Sequence, residues 1–247
     1  ARVVWLVHDV IERRDRLFFL RLFRRAAGLT VAVSDATAAP LRARGLKVLV
    51  VRNGTPWPVE PMPGRPVGTP VIGCTAALTS WKGQNVLLDA IGKLGRSDVV
   101  VELLGGQFPK DGPYVESLRR RAAAADLDGR VRFLGRQEDP LGRMRTWTVA
   151  VSASVLPEAG PLAPLEAMSI GLPVVGTNHG GTPEVLGHAG LLVPPGDAEA
   201  MASAINRLLD DATLWESCHR AGPEQIEAGL RLDQQLDGLL QVLGGVR

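Results

Sequence analysis

The chain has little of several things that commonly announce a function. It holds two cysteines in 247 residues, Cys74 and Cys218, far apart and outside any metal-like spacing. That argues against a disulfide framework or a zinc site and predicts reduced thiols in a cytoplasmic protein. There is a single tyrosine, and aromatics make up 4% of the chain. The formal net charge of +2 is too small to argue for nucleic acid. No apolar run reaches the roughly 18 residues needed to span a bilayer. No internal repeat or low-complexity tract is present, and no secretory signal is expected. What remains is an ordinary globular composition, 45% apolar, enough for a real core in one or two domains.

Short apolar runs alternate with helical periodicity almost throughout, which predicts an α/β fold of parallel sheets with helices on both faces. Strands are expected at Val3–Val7, Thr30–Val33 and Lys47–Val51, with helices over Ile11–Ala27 and from Ser34 to Arg44. Thr55 to Gly68 carries five prolines and reads as a linker. A second block starts at Val71 and contains six expected strands. Its helices include Lys82–Leu94, Tyr114–Ala125, Glu138–Arg145 and Ala198–Leu209, the last capped by Asp197. The tail from Trp215 to Leu243 is expected to be helical and broken near Gly222-Pro223. The expected division is 1–54, 55–68, 69–221 and 222–247. Three strands make half a sheet with raw edges, so an upstream segment on the order of 100 residues is expected to complete the first block.

The most informative stretch runs from Pro157 to Met168. Glu158 and Glu166 bracket a Gly/Pro turn that opens a helix after an apolar strand. Ligands of open parallel sheets bind at the carboxyl ends of strands, and a helix start suits phosphate. A carboxylate beside that seat can accept hydrogen bonds from two hydroxyls. The spacing taken alone is equally that of two solvated glutamates.

Further motifs follow in order: Val71-Ile72-Gly73, Ser80-Trp81-Lys82-Gly83, Val131-Arg132-Phe133-Leu134-Gly135, Ala167-Met168, Gly171-Leu172-Pro173-Val174-Val175, Gly180-Gly181, Pro183-Glu184 and Gly190-Leu191-Leu192-Val193. With Glu158 and Glu166 as a Glu-x7-Glu pair, the series resembles the carboxyl-terminal domain of family-four retaining glycosyltransferases, which have the GT-B fold, over about 150 residues. Residues 1–54 resemble the end of that family's amino-terminal, acceptor-side domain, and 222–247 its helix that crosses back.

The resemblance implies a nucleotide diphosphate sugar as donor and transfer of a hexose-type sugar to an acceptor hydroxyl, with no metal and no further cofactor. Lys82 and the N–H groups of Leu162 and Ala163 would face the diphosphate. Glu166 would take the ribose hydroxyls and Glu158, beside Gly160, a sugar hydroxyl. The turn Gly135-Arg136-Gln137 would meet the base, and His8 would sit near the sugar and acceptor. Lys82, Glu158 and His8 are thus the candidates nearest the chemistry. Two departures stand out. Ala77 occupies the place of a usual arginine, leaving one diphosphate cation short unless Arg136 replaces it. Pro161 replaces a residue that would offer an N–H. His179, His188 and His219 read as structural or exposed, Gly180-Gly181 as a tight turn, and Glu184 as a local helix-cap partner.

Three other readings fit parts of the sequence. The chain could bind a nucleotide sugar without transferring it. An epimerase or phosphorylase would need other carboxylates or a cofactor lysine, and neither pattern is present. The basic, apolar stretch Arg13–Arg25 admits peripheral contact with the inner membrane face, although its apolar stripe equally serves core packing. The acceptor (glycan, lipid-linked or small molecule), the sugar and the base are not legible.

Overall fold

The computed structural model describes residues 3–10, 27–127 and 129–244. The expected helix over Ile11–Ala27 and the stretch Arg13–Arg25 lie almost wholly outside these, and its last residue, Ala27, opens a strand.

Two parallel sheets organise the described residues. The first has strands β1 (Val3–Val7), β2 (Ala27–Ala32) and β3 (Val48–Val50) in that order. Helix α1 (Asp35–Arg42) connects β2 to β3, and the Ser34 side chain caps it by accepting from the Thr37 N–H at 3.1 Å.

The second sheet is built from β4 (Val71–Thr75), β5 (Val100–Leu104), β6 (Val131–Gly135), β7 (Val149–Ser152), β8 (Val174–Thr177) and β9 (Gly190–Val193). Its order is β6-β5-β4-β7-β8-β9, all parallel, so the winding reverses between β4 and β7. Most of these strands read as near-continuous apolar runs because helices cover both faces. Helices α2 (Gln84–Gly92), α3 (Gly112–Ala122) and α7 (Ala198–Asp210) pack on one side through Leu87, Ile91, Leu118, Ile205 and Leu208. On the other side lie α4 (Pro140–Met144), α5 (Leu162–Ser169), α6 (Thr182–Leu186) and α8 (Ala212–Gly229), joined by Met144, Leu165, Met168, Leu186 and Ile226. Asp197 caps α7 as expected, accepting from the Ala200 N–H.

A buried ion cluster ties the second sheet to α4. Glu102, fully buried on β5, accepts from Arg143 Nε at 2.7 Å and from the other side of the same guanidinium. It also accepts from Trp147 Nε1 at 2.8 Å, and Arg132 lies at 3.4 Å. Burial alone would push this carboxyl up. The bonds from Arg143 and Trp147, with the Arg143 charge, reverse that and hold it below its ordinary value.

The expected break near Gly222-Pro223 does not occur, because α8 runs unbroken to Gly229. An interior proline costs about 3 kcal/mol, but tertiary packing outweighs it here. Gly222 sits so close to the Met168 carbonyl that a Cβ would come within 2.7 Å of its oxygen, while Ile226 is fully buried one turn on. The chain turns at Leu230-Arg231 instead. Helix α9 (Leu232–Gly244) then lies against the first unit, with Gly238 beside Val51 and the Gln235 side chain on Asn53 and Gly54. The linker enters the same joint through paired bonds between Thr55 and residues 230 and 232.

The carboxyl ends of the two sheets face each other. Asn53 Nδ2 donates to the Gly160 carbonyl at 2.8 Å. Glu184 accepts from the backbone N–H of Asp35 at 2.8 Å and of Ala36 at 2.7 Å, and Arg52 lies within 3.5 Å of it. Glu184 is therefore a helix cap, but for α1 of the other unit rather than for its own surroundings.

Candidate active site

The reversal of strand order between β4 and β7 splays the chains that leave these two strands, and a cavity of about 290 Å³ opens there. Its floor is Cys74, Thr75, Ser152 and Ala153 at the strand ends, and its walls carry Lys82, Glu158 and residues 160–164.

Lys82 ends the 3-10 turn Ser80–Lys82, which is strapped across the end of β7 by the bond from Val155 N–H to the Trp81 carbonyl at 2.8 Å. Gly83 follows with φ +68, and a Cβ there would meet the Ala153 carbonyl oxygen at 2.0 Å. Only glycine allows both this left-handed turn and so close an approach. The Lys82 ammonium consequently reaches across the cavity, 2.6 Å from Glu158 Oε2 and 4.2 Å from the centroid of the Trp81 ring. Both side chains are largely buried, Lys82 at 18% and Glu158 at 10% exposed.

Glu158 is held from several sides. The Ser154 hydroxyl donates to its Oε1, and its backbone carbonyl accepts from the Gly181 N–H at 2.7 Å. Gly180 and Gly181 pack flat on this loop, where Cβ atoms would strike the Glu158 and Ala159 backbone at 2.3 and 2.1 Å. The tight turn expected there thus serves as the bed of the Glu158 loop. The Cys74 thiol under the cavity is pushed up to about 12 by burial, with Lys82 opposing and Glu158 adding.

Helix α5 begins at Leu162 behind Pro161, which offers no side-chain cap. The N–H groups of Leu162 and Ala163 have no partner among the described residues, and both residues line the cavity, so the positive end of the helix is open to an anion there. Pro164 sits in the first turn, where its missing N–H costs no helical bond. Glu166 lies two residues further along. It does not line the cavity and its carboxyl has no hydrogen-bond partner among the described residues. Burial raises its pKa above the ordinary value.

A second cavity of about 340 Å³ opens beside the first and shares Thr75 and Ala76 with it. It is lined by Ala77, residues 104–108 and Arg136. Of the expected base turn, Arg136 lines this cavity; Gly135 adopts φ +65 and Gln137 donates to the Leu134 carbonyl. Phe108, 55% exposed at its rim, was not anticipated from the sequence. Nor was Ser154. Its only sequence signal is its position four residues before Glu158.

His8 is exposed at the carboxyl end of β1, on the edge that faces the second unit, and lines neither cavity. The structure thus brings Lys82, Glu158, Gly160, Leu162 and Ala163 around one cavity and Arg136 to its neighbour. His8 stands apart, and so does the Glu166 carboxyl.

No described helix is long and apolar enough to cross a membrane. The structure is similar to that of the Anabaena protein HepE solved with UDP and glucose, at 24% identity and a TM-score of 0.86 over 98% of this chain and 71% of that one. It is also similar to sucrose-phosphate synthase from Thermosynechococcus elongatus, at 22% identity and a TM-score of 0.84, over 98% and 67%. At these identities the likeness establishes the fold, which is GT-B. In sequence, the lipopolysaccharide core biosynthesis glycosyltransferase LpsE of Rhizobium meliloti is 31% identical over 180 residues, 72% of this chain and 51% of that protein. The GDP-mannose-dependent monoacylated alpha-(1-6)-phosphatidylinositol monomannoside mannosyltransferase of Corynebacterium glutamicum is 31% identical over 173 residues, 65% and 43%. The chain spans about half the length of these relatives. The sequence profile of glycosyl transferases group 1 matches residues 60–227, which hold both cavities and every strand of the larger sheet, and the chain belongs to that family.

Proposed function

We propose that this chain is the donor-binding portion, with the end of the acceptor-side domain, of a family-four retaining glycosyltransferase that moves a hexose-type sugar from a nucleotide diphosphate sugar to an acceptor hydroxyl. The domain reading is 1–54 acceptor side, 55–68 linker, 69–221 donor side and 222–247 return segment. The observation that carries the proposal is the first cavity. A buried ammonium and an open helix start face one space at the switch point, with a carboxylate beside them.

The diphosphate sits against Lys82 and the Leu162 and Ala163 N–H groups, which stabilise its charge as it leaves without a metal. Arg136 supplies a second cation from the neighbouring cavity, where the base lies beside Phe108 and the 135–137 turn. Glu158 accepts from a sugar hydroxyl, and Glu166 swings to the ribose. The bond from the anomeric carbon to the phosphate oxygen breaks, the acceptor oxygen bonds to that carbon from the same face, and the acceptor's proton passes to the leaving diphosphate. His8 borders the sugar from the facing unit.

Calorimetry with uridine and guanosine diphosphates in the presence of a chelator, followed by product analysis with UDP-glucose and GDP-mannose, tests this. Chelator-insensitive binding and an α-linked product are expected. Binding with neither transfer nor donor hydrolysis would favour the second reading, a nucleotide-sugar-binding fragment. No binding of either diphosphate would sink both.

Glu166 gives a separate test. Its folded pKa is raised by burial, so at neutral pH its charge costs stability, and that cost fades as pH falls through the raised value and is gone below the ordinary carboxylate range. Glu166→Gln is expected to stabilise the protein at neutral pH, with the gain vanishing in acid. It should weaken donor binding about tenfold. Denaturant titrations at two pH values check the first, calorimetry the second.

A further inference from the structure

Glu158 has two partners of different character. Lys82 holds Oε2 by charge at 2.6 Å, and Ser154 holds Oε1 by its hydroxyl. A diphosphate drawn into the cavity competes with Glu158 for the same ammonium, because Lys82 is the only basic side chain lining that cavity among the described residues. Once Lys82 turns to phosphate, the carboxylate keeps Ser154 alone. Ser154 itself is 1% exposed and fixed from behind. Its carbonyl accepts from the fully buried Thr177 hydroxyl at 2.9 Å, and that hydroxyl lies 3.2 Å from His179 Nε2. β8 thereby braces the β7 exit, and the brace ends on the Glu158 carboxylate.

We propose that Ser154 is a positioning residue: its hydroxyl, carried on a backbone that Thr177 braces, keeps the Glu158 carboxylate aimed at the donor sugar when Lys82 exchanges Glu158 for the diphosphate. This rests on the donor reading above. Its consequence is a division of labour. Lys82 governs affinity for any nucleotide diphosphate. Ser154 governs only the extra affinity that the sugar contributes, since Glu158 accepts no hydrogen bond from the bare nucleotide.

The test measures, by calorimetry, the affinities of UDP, GDP, UDP-glucose and GDP-mannose for the parent chain, Ser154→Ala and Lys82→Ala. Ser154→Ala is expected to leave the affinity for the better bare diphosphate within about twofold. The preference for its sugar conjugate should fall about tenfold, the scale of one hydrogen bond to a charged group. Thr177→Val should shift the preference the same way by about threefold, and serves where Ser154→Ala does not fold. An unchanged preference overturns the inference, as does a parallel fall in bare and conjugated affinities, which marks general damage. If Lys82→Ala leaves bare diphosphate affinity intact, the donor reading fails first and takes this inference with it.

Discussion

Lys82→Ala is expected to lower affinity for nucleotide diphosphates about a hundredfold, the upper range for one charge-assisted contact in a partly dry site. The size follows from what remains. Lys82 is paired with Glu158 at 2.6 Å. Without it the cavity keeps a carboxylate facing the incoming phosphates, so an attraction is replaced by a repulsion. Two controls separate these terms. Lys82→Ala with Glu158→Gln should recover part of the loss, since the repulsion is gone. Raising the salt concentration should weaken binding to the parent more than to Lys82→Ala. A single variant that binds UDP and GDP as tightly as the parent would remove the cation from the site.

The largest stability effect is expected at Glu102. Glu102→Ala strips Arg143 and Trp147 Nε1 of their acceptor in the interior and leaves a gap on β5. Breaking a buried pair from one side costs about 3–5 kcal/mol. Arg143 keeps 35% exposure and water can solvate part of its charge, so about 3 kcal/mol is expected from urea titration. The pH dependence has a definite sign. The folded carboxyl is held below its ordinary value, so the stabilisation is complete above the ordinary carboxylate range and is lost as pH falls through the depressed value. Glu102→Ala should flatten that acid slope. A variant as stable as the parent, with the same slope, would reduce the cluster to decoration.

Much of this was legible in the sequence because parallel sheets write themselves as repeated apolar runs. Val71–Thr75, Val131–Gly135 and Gly190–Val193 read as strands for that reason, Glu158 stood out because it follows a strand at a turn, and Lys82 only through the motif series that resembles the glycosyltransferase family. Element ends slipped by a few residues. Helix α2 starts at Gln84, after Lys82, since Gly83 breaks into the left-handed region. Gly222-Pro223 misled because local propensity argues for a stop while the glycine's closeness to Met168 argues for continuity. Ser154 and Phe108 were invisible for a different reason. Their significance comes from neighbours distant in sequence, and no periodicity records which serine faces which glutamate. Glu184 suited a cap, but its partner lies 149 positions away.

That long-range cap has a mechanical corollary. The amides of Asp35 and Ala36 are satisfied from the opposite lobe, so any gaping of the cleft leaves two donors bare and frees a carboxylate beside Arg52. Glu184 acts as a clasp. Its release is the toll on every opening, and shortening it by one methylene would let the jaws part more readily without altering either one.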